Sequence, residues 1–275
     1  MYNWTHALSN ALSPNKETPM KPFLSVCALA AFLLHLPSTA TAFQKEAGSI
    51  KECAECHKLT KEEAGKVLGK VVDNVIGVVQ GPFPGVWEVD VARDGKTYPI
   101  YVDYSLKYFF SGQFIRLADM ANLTSLRYQD LNRVDVSSIP IKNAIRVGSP
   151  SAKKTVIVLS DPTCAYCIKL HGEMGKAVAK DADVAFLVMP YPRNRNDQAT
   201  YQKCLAVVCS KSEKLLDDAY TGKELPAATC KTDAVDETIR LAERLKIQGT
   251  PTMILPDGRM IGGYMAADAL LALLR

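Results

Sequence analysis

The sequence predicts an α/β domain with a helical insertion, preceded by a small α+β domain and a helical linker, and three observations predict it. A β-branched apolar run, Thr155-Val-Ile-Val-Leu-Ser160, leads through Asp161-Pro162-Thr163 into Cys164-Ala165-Tyr166-Cys167 and a segment that recurs apolar at helical spacing to about residue 179. A second buried run over residues 184–189 (VAFLVM) follows, so strand, helix and strand form a βαβ unit. Near the C-terminus, Gly249-Thr250-Pro251 precedes two short strands about an Asp257-Gly258 turn and a terminal helix over residues 266–274.

The 275 residues, 48% of them apolar, suffice for one large or two modest cores. A formal charge of +4 carries no nucleic-acid signature. Residues 1–42 stand apart. Residues 23–36 are almost wholly apolar and end in a small-residue stretch, Pro37-Ser-Thr-Ala-Thr-Ala42, the pattern of a secretory signal peptide cleaved after Ala42. Lys21 directly before the apolar core makes Met20 its natural start, and the run is too short to span a bilayer. An exported, periplasmic protein that is not integral to the membrane is expected. Export places Cys53, Cys56, Cys164, Cys167, Cys204, Cys209 and Cys230 where disulfides persist, and their odd number leaves at least one thiol without an internal partner.

In chain order, residues 43–57 carry Cys53-Ala54-Glu55-Cys56-His57, the arrangement that covalently holds c-type haem: two thiols join the porphyrin and the adjacent imidazole ligates iron. The competing reading is a second disulfide with His57 beside it. His57 and His171 are the only histidines after the leader, too few for a His-rich metal site, and no metal is expected. Residues 61–72 read as an amphipathic helix capped by Thr60. Residues 85–92 and 97–103 alternate around Asp94-Gly95 as a hairpin, and residues 108–111 and 113–117 add short strands. This gives the small domain, residues 58–120, with Tyr98, Tyr101, Tyr104, Tyr108, Phe109 and Phe110 expected as core and cross-strand pairs. Its exposed sheet edges suit pairing with a second chain. Residues 121–148 are a helical linker and connection, and the second domain spans residues 149–275 with inserted helices over about residues 193–248. The order βαβ, inserted helices, ββα is that of the thioredoxin fold.

The chemistry centres on Cys164 and Cys167. Three residues apart on the first turn of a helix, they share a face and come within disulfide range. The unpaired N–H groups of a helix start favour thiolate on Cys164, the expected nucleophile, while Cys167 is the resolving thiol. The inert alternatives are a stable bridge or a zinc half-site. His171, on the face of Cys167, is expected to be a packed helix histidine.

Ser137-Ser-Ile-Pro140 with Asn143-Ala, Asp161-Pro-Thr-Cys-Ala-Tyr-Cys167, Lys169-Leu-His171, Pro190-Tyr-Pro-Arg193, Gly249-Thr-Pro251 and Gly262-Gly-Tyr264 together resemble the periplasmic disulfide isomerases of the DsbC/DsbG family. The likeness runs from about residue 60 onwards. It implies a V-shaped homodimer paired through the small domains, a cis-proline at Pro251, and substrate peptide held by the backbone of Thr250. It also implies a structural disulfide in the insertion, Cys209 with Cys230; Cys204 with Cys230 is the alternative. Cys53–His57 departs from the family pattern. The activity expected is isomerisation or reduction of wrong disulfides in exported proteins, with a DsbD-like membrane thiol reductase restoring the dithiol and no cofactor needed. Two other classes stay open: a haem-bearing electron carrier, and a chaperone-like binder of unfolded chains.

Overall fold

The computed structural model describes residues 57–275; the leader, its expected cleavage after Ala42, and Cys53 and Cys56 lie outside the described residues. Thr60 opens helix α1 (Lys61–Leu68) with a capping box, in which Glu63 N–H donates to the Thr60 hydroxyl at 3.2 Å and Thr60 N–H donates to the Glu63 carboxylate at 2.9 Å. Ala64 and Leu68 turn inward onto an antiparallel sheet of β1 (Asn74–Gln80), β2 (Val86–Arg93), β3 (Lys96–Asp103) and β4 (Phe109–Phe110), in that order. The β2–β3 turn places Asp94 (φ 52°) and Gly95 (φ 70°) in the left-handed region, as a two-residue hairpin with native twist requires. Strand β1 has no counterpart in the sequence expectation. A register shift between Val75 and Gly77 breaks its alternation, so Val75 alone is fully buried.

The aromatic residues of this domain meet the expectation in part: Tyr101 lies in the core and stacks on Phe110, its partner across β3 and β4, with ring centroids 5.2 Å apart. Tyr101 is fully buried, but Tyr108 is 73% exposed, and Tyr98, Phe109 and Phe110 also face outward. β4 is only two residues long and pairs on one side alone, so its side chains stay partly exposed although Phe110 packs against Tyr101 and Phe114. Tyr104 is half-buried, stacked between His57 and Trp87. A two-stranded ribbon, β5 (Ile115–Arg116) and β6 (Ala121–Asn122), then leads into α2 (Leu123–Leu131), capped by the Asn122 side chain. α2 is tied to the sheet by polar contacts. The Tyr101 and Thr124 hydroxyls are 2.7 Å apart, and the Arg127 guanidinium donates to the buried Asp90 carboxylate at 3.1 Å and pairs with Glu88 at 3.2 Å.

Residues 134–148, a polar connection by sequence, are structural in fact. Val134 N–H donates to the Gly258 carbonyl at 2.9 Å, and Ile139 packs with Ile157, Leu159 and Leu187. Ile145–Val147 forms strand β7 at the edge of the second sheet, ahead of the boundary expected at residue 149. That sheet runs β11 (Met260–Gly262), β10 (Thr252–Ile254), β8 (Lys154–Ser160), β9 (Val184–Pro190), β7. β8 and β9 are parallel, and the other pairs are antiparallel.

Helices cover both faces, and the pleat of β8 explains how. Val156 and Val158 point to one face, under α3 (Ala165–Lys180), α4 (Gln198–Ser210), α5 (Glu213–Tyr220) and α7 (Ala267–Leu273). Ile157 and Leu159 point to the other, where α6 (Ala234–Arg244) brings Leu241. This is the βαβ, inserted helices, ββα order read from the sequence. Among the described residues, no helix is long and apolar enough to cross a membrane.

Candidate active site

The site lies where β8 ends and α3 begins. Asp161 shapes the turn between them: one carboxylate oxygen accepts from the Thr163 N–H and hydroxyl, both at 2.7 Å, and the other accepts from Arg193 N–H at 3.0 Å. One buried carboxylate thus fixes the cysteine loop and the Pro190-Tyr191-Pro192-Arg193 segment together. Cys164 is the N-cap residue of α3 in extended conformation (φ −84°, ψ 122°), so its side chain lies over the free N–H groups of the first turn. Cys167, one turn in, faces the core beside Leu170 and is 1% exposed.

The two thiols consequently differ. Burial works to raise the Cys164 thiol, but the N–H groups of Cys167 and Tyr166, together with contact to Thr250, hold it below the ordinary thiol range. Burial pushes Cys167 up to about 11, against a hydrogen bond from the Asp161 N–H at 3.4 Å. Cys164 is therefore the more acidic thiol of the pair and the one that ionises first.

Across the sheet, the Thr250–Pro251 peptide is cis, and the Cys164 thiol donates to the Thr250 carbonyl at 3.4 Å. Thr250 and Pro251 reach Cys164 because β10 pairs antiparallel with β8, with Thr252 opposite Leu159. Beside this loop opens a cleft of about 810 Å³, lined by Tyr98, Tyr128, Lys246, Gln248, Pro251 and Met260. Tyr166, 58% exposed, stands on the outer side of the dithiol.

The remaining cysteines separate by depth. Cys209 at the end of α4 is bonded to Cys230, with Cα atoms 5.4 Å apart. Cys204, one turn earlier, is fully buried in the core, and burial drives its thiol far above the ordinary range. Its thiol is free within the core, and Cys230 is bonded to Cys209 in its place. His171 is packed, as expected: Nε2 meets the Asp217 carboxylate at 2.6 Å and its ring lies 4.5 Å from Tyr220. The haem reading rests on Cys53 and Cys56, outside the described residues. His57 is exposed, with its ring 4.7 Å from Tyr104, and His171, the other histidine among the described residues, is engaged by Asp217. Among the described residues no cluster of His, Cys, Asp and Glu is arranged to hold a metal.

Sequence reasoning did not single out Ser160 or Tyr220. The two hydroxyls are hydrogen-bonded beneath Cys167, and both residues are buried. Nothing local marks Tyr220, which reads as one more apolar position of a short amphipathic helix.

Residues 141–275 match the family described as a thioredoxin-like domain. The chain is 29% identical over 169 residues to the thiol:disulfide interchange protein DsbC of Escherichia coli (strain K12), covering 60% of this chain and 68% of that protein. It is 30% identical over 179 residues to the protein of the same name from Salmonella typhimurium, covering 64% and 72%. To the probable DsbC of Bordetella avium it is 27% identical over 195 residues, covering 70% and 66%. Among solved structures, a disulfide interchange protein from Neisseria gonorrhoeae aligns over 49% of this chain and 95% of its own, at 26% identity and a TM-score of 0.42.

Proposed function

Because the chain belongs to the DsbC-type thiol:disulfide interchange family and is a thiol:disulfide oxidoreductase, we propose that it acts as a periplasmic disulfide isomerase on wrongly oxidised exported proteins. The observation that carries this is the asymmetry of the dithiol: an acidic Cys164 at the helix cap against a buried, weakly acidic Cys167. Cys164 thiolate attacks one sulfur of a substrate disulfide. A Cys164–substrate bond forms, the substrate bond breaks, and the other substrate sulfur leaves as thiolate. That thiolate, or another in the substrate, attacks elsewhere, and rearrangement ends by expelling Cys164 with no net redox change. When no rearrangement follows, Cys167 displaces the substrate, and the Cys164–Cys167 pair leaves oxidised while the substrate is reduced. The oxidised pair then needs an external dithiol, for which a DsbD-like membrane reductase is the fitting partner. No cofactor enters any step.

Substrate backbone pairs with Thr250 beside Pro251, where the Thr250 carbonyl already lies against Cys164. Two chains pair through their small domains. The edge strands β1 and β4 and the outward Phe109, Phe110 and Tyr108 support that reading, since an exposed sheet edge with aromatic flanks calls for a partner. Residues 1–42 act as the export leader. Reactivation of scrambled ribonuclease tests the whole reading. Wild type restores activity, Cys164→Ala does not, and Cys167→Ala accumulates a substrate adduct on Cys164. Reactivation by Cys164→Ala would refute it.

A further inference from the structure

The cleft beside Pro251 is shared by the two domains. On one side Tyr98 of β3 and Tyr128 of α2 line it, with ring centroids 5.3 Å apart. On the other runs the stretch from the end of α6 through Gln248 to Pro251. Two lysines join these sides. Lys96 Nζ, at the start of β3, donates to the Lys246 carbonyl at 3.2 Å, and Lys246 Nζ donates back to the Asp94 carbonyl.

The backbone of Lys246 sharpens the point. α6 stops where Lys246 N–H donates to the Glu243 carbonyl at 3.0 Å and Ile247 N–H donates to the Ala242 carbonyl at 2.8 Å. Lys246 itself takes φ 54°, the left-handed position where a helix stop of this kind ordinarily has glycine. A lysine there carries a side chain that the stop does not use. What it adds is an ammonium group on the cleft.

Neither ammonium charge is matched within the chain. Each group has three donors and gives one to a neutral carbonyl, and neither pairs with a carboxylate among the described residues. The neighbouring carboxylates are engaged elsewhere: Asp94 faces Arg93 at 3.8 Å, Asp73 accepts the Asp94 N–H at 3.2 Å, and Glu243 pairs with Arg195. Two tyrosine faces and two positive charges therefore border the cleft beside the Thr250–Pro251 peptide.

We propose that this cleft holds the segment of substrate chain next to the reacting cysteine, and that Lys96 and Lys246 select segments carrying an aspartate or glutamate there. The inference rests on the thiol:disulfide reading above and names the substrate class of that same site. A chain paired with Thr250 continues directly into the cleft, whose volume of about 810 Å³ is of the size that takes a ligand. Charge decides which chain fits. An acidic side chain takes the donors that both lysines leave free, whereas a basic one meets like charge. Because Lys96 belongs to the small domain and Lys246 to the second, the small domain takes part in the choice of substrate.

Three otherwise identical peptides test this, each with one cysteine activated as a thiopyridyl disulfide and with Glu, Gln or Lys two residues away. Cys164 of the reduced full-length protein attacks the peptide sulfur, the peptide becomes bonded to Cys164, and thiopyridone leaves and is read by its absorbance. At low salt the Glu peptide should react about fivefold faster than the Gln peptide, and the Lys peptide slower still, with the differences shrinking as salt rises. Lys96→Gln/Lys246→Gln should bring the three rates together, and Lys96→Arg/Lys246→Arg should keep them apart. Lys66→Gln/Lys70→Gln removes the same charge from α1 and the turn after it, outside the cleft, and should also keep them apart. Equal rates for the three peptides in wild type, or a preference that survives Lys96→Gln/Lys246→Gln, overturns the proposal, as does its loss in Lys66→Gln/Lys70→Gln. Failure of wild type to release thiopyridone from any of the peptides would instead sink the thiol:disulfide reading beneath it.

Discussion

Removing the Cys209–Cys230 bond should cost stability without touching the dithiol. The bond closes a ring of sequence separation 21 that contains all of α5. The chain-entropy relation for a ring of that size gives roughly 3 kcal/mol, about two powers of ten in the unfolding constant. Little of this should be recovered by relaxation, because Leu216, Ala219 and Tyr220 of α5 are already held in the core. The perturbation is the double variant Cys209→Ser/Cys230→Ser, since a single substitution would leave a new free thiol to react with Cys164. Urea unfolding of the oxidised proteins is the assay. The variant should show a lower midpoint and a somewhat larger slope, because its denatured chain is no longer looped and exposes more surface. Its Cys164 should still react with a small disulfide at the wild-type rate under folding conditions. A loss below about 1 kcal/mol would refute the loop-entropy account. A loss accompanied by a dead Cys164 would show that the bond also shapes the site.

Arg127→Ala should cost about 3–5 kcal/mol, because it leaves Asp90, 3% exposed, without its guanidinium; a thermal midpoint near wild type would mean that Asp90 finds another partner. Gly258→Ala should weaken the junction between the connection and the second sheet. Gly258 has φ 86°, and an added Cβ would sit 2.3 Å from the Val134 carbonyl, a contact that backbone must move to relieve. Enhanced proteolysis around residue 134 would report it, and wild-type resistance would contradict it. Cys204 should resist alkylation in the native protein and react only on unfolding, so peptide mapping that finds it labelled as fast as Cys164 would refute its burial.

The parts of this fold that were legible in the sequence are those whose signal is local. The β8 run, the cysteine helix, the Asp94-Gly95 hairpin and the Thr60 cap each carry their partner within a few residues. β1 was not legible because its bulge at Val75 and Gly77 destroys the period of two on which a strand is recognised. The stretch from Val134 to Val147 hid its role differently. Its apolar residues fall on two 3-10 turns, Val136–Ser138 and Ile141–Asn143, and a three-residue strand, none long enough to show periodicity. The tyrosines and phenylalanines of β3 and β4 have strand spacing whether or not a second layer covers them, so spacing could not tell Tyr101 from Tyr108. At the site, the cysteines announced themselves, while Ser160 and Tyr220, 60 residues apart, met only through the packing of α5 under β8.

The same packing bears on whether such a dithiol rearranges or merely reduces. An adduct on Cys164 has two exits: attack by a substrate thiol, or attack by Cys167. In the reduced dithiol Cys167 is pushed up to about 11, chiefly by burial that the adduct on Cys164 does not relieve, so at neutral pH it carries far less thiolate than an ordinary exposed cysteine, which is ionised to a few per cent. Proximity favours Cys167, since it sits one helical turn away, but its protonation withholds that advantage. Substrate thiols thereby gain time to search. The balance should shift with pH in a definite direction. Below about 8.5 both thiolates rise together and the ratio of isomerised to reduced product holds steady. Above it the substrate thiols are already ionised while Cys167 continues to gain, so reduction should take a growing share as pH approaches 11. Quenching scrambled ribonuclease reactions at successive pH values and counting native, scrambled and reduced species measures that ratio. A ratio that stays flat above pH 8.5 would mean that the acidity of Cys167 does not govern escape.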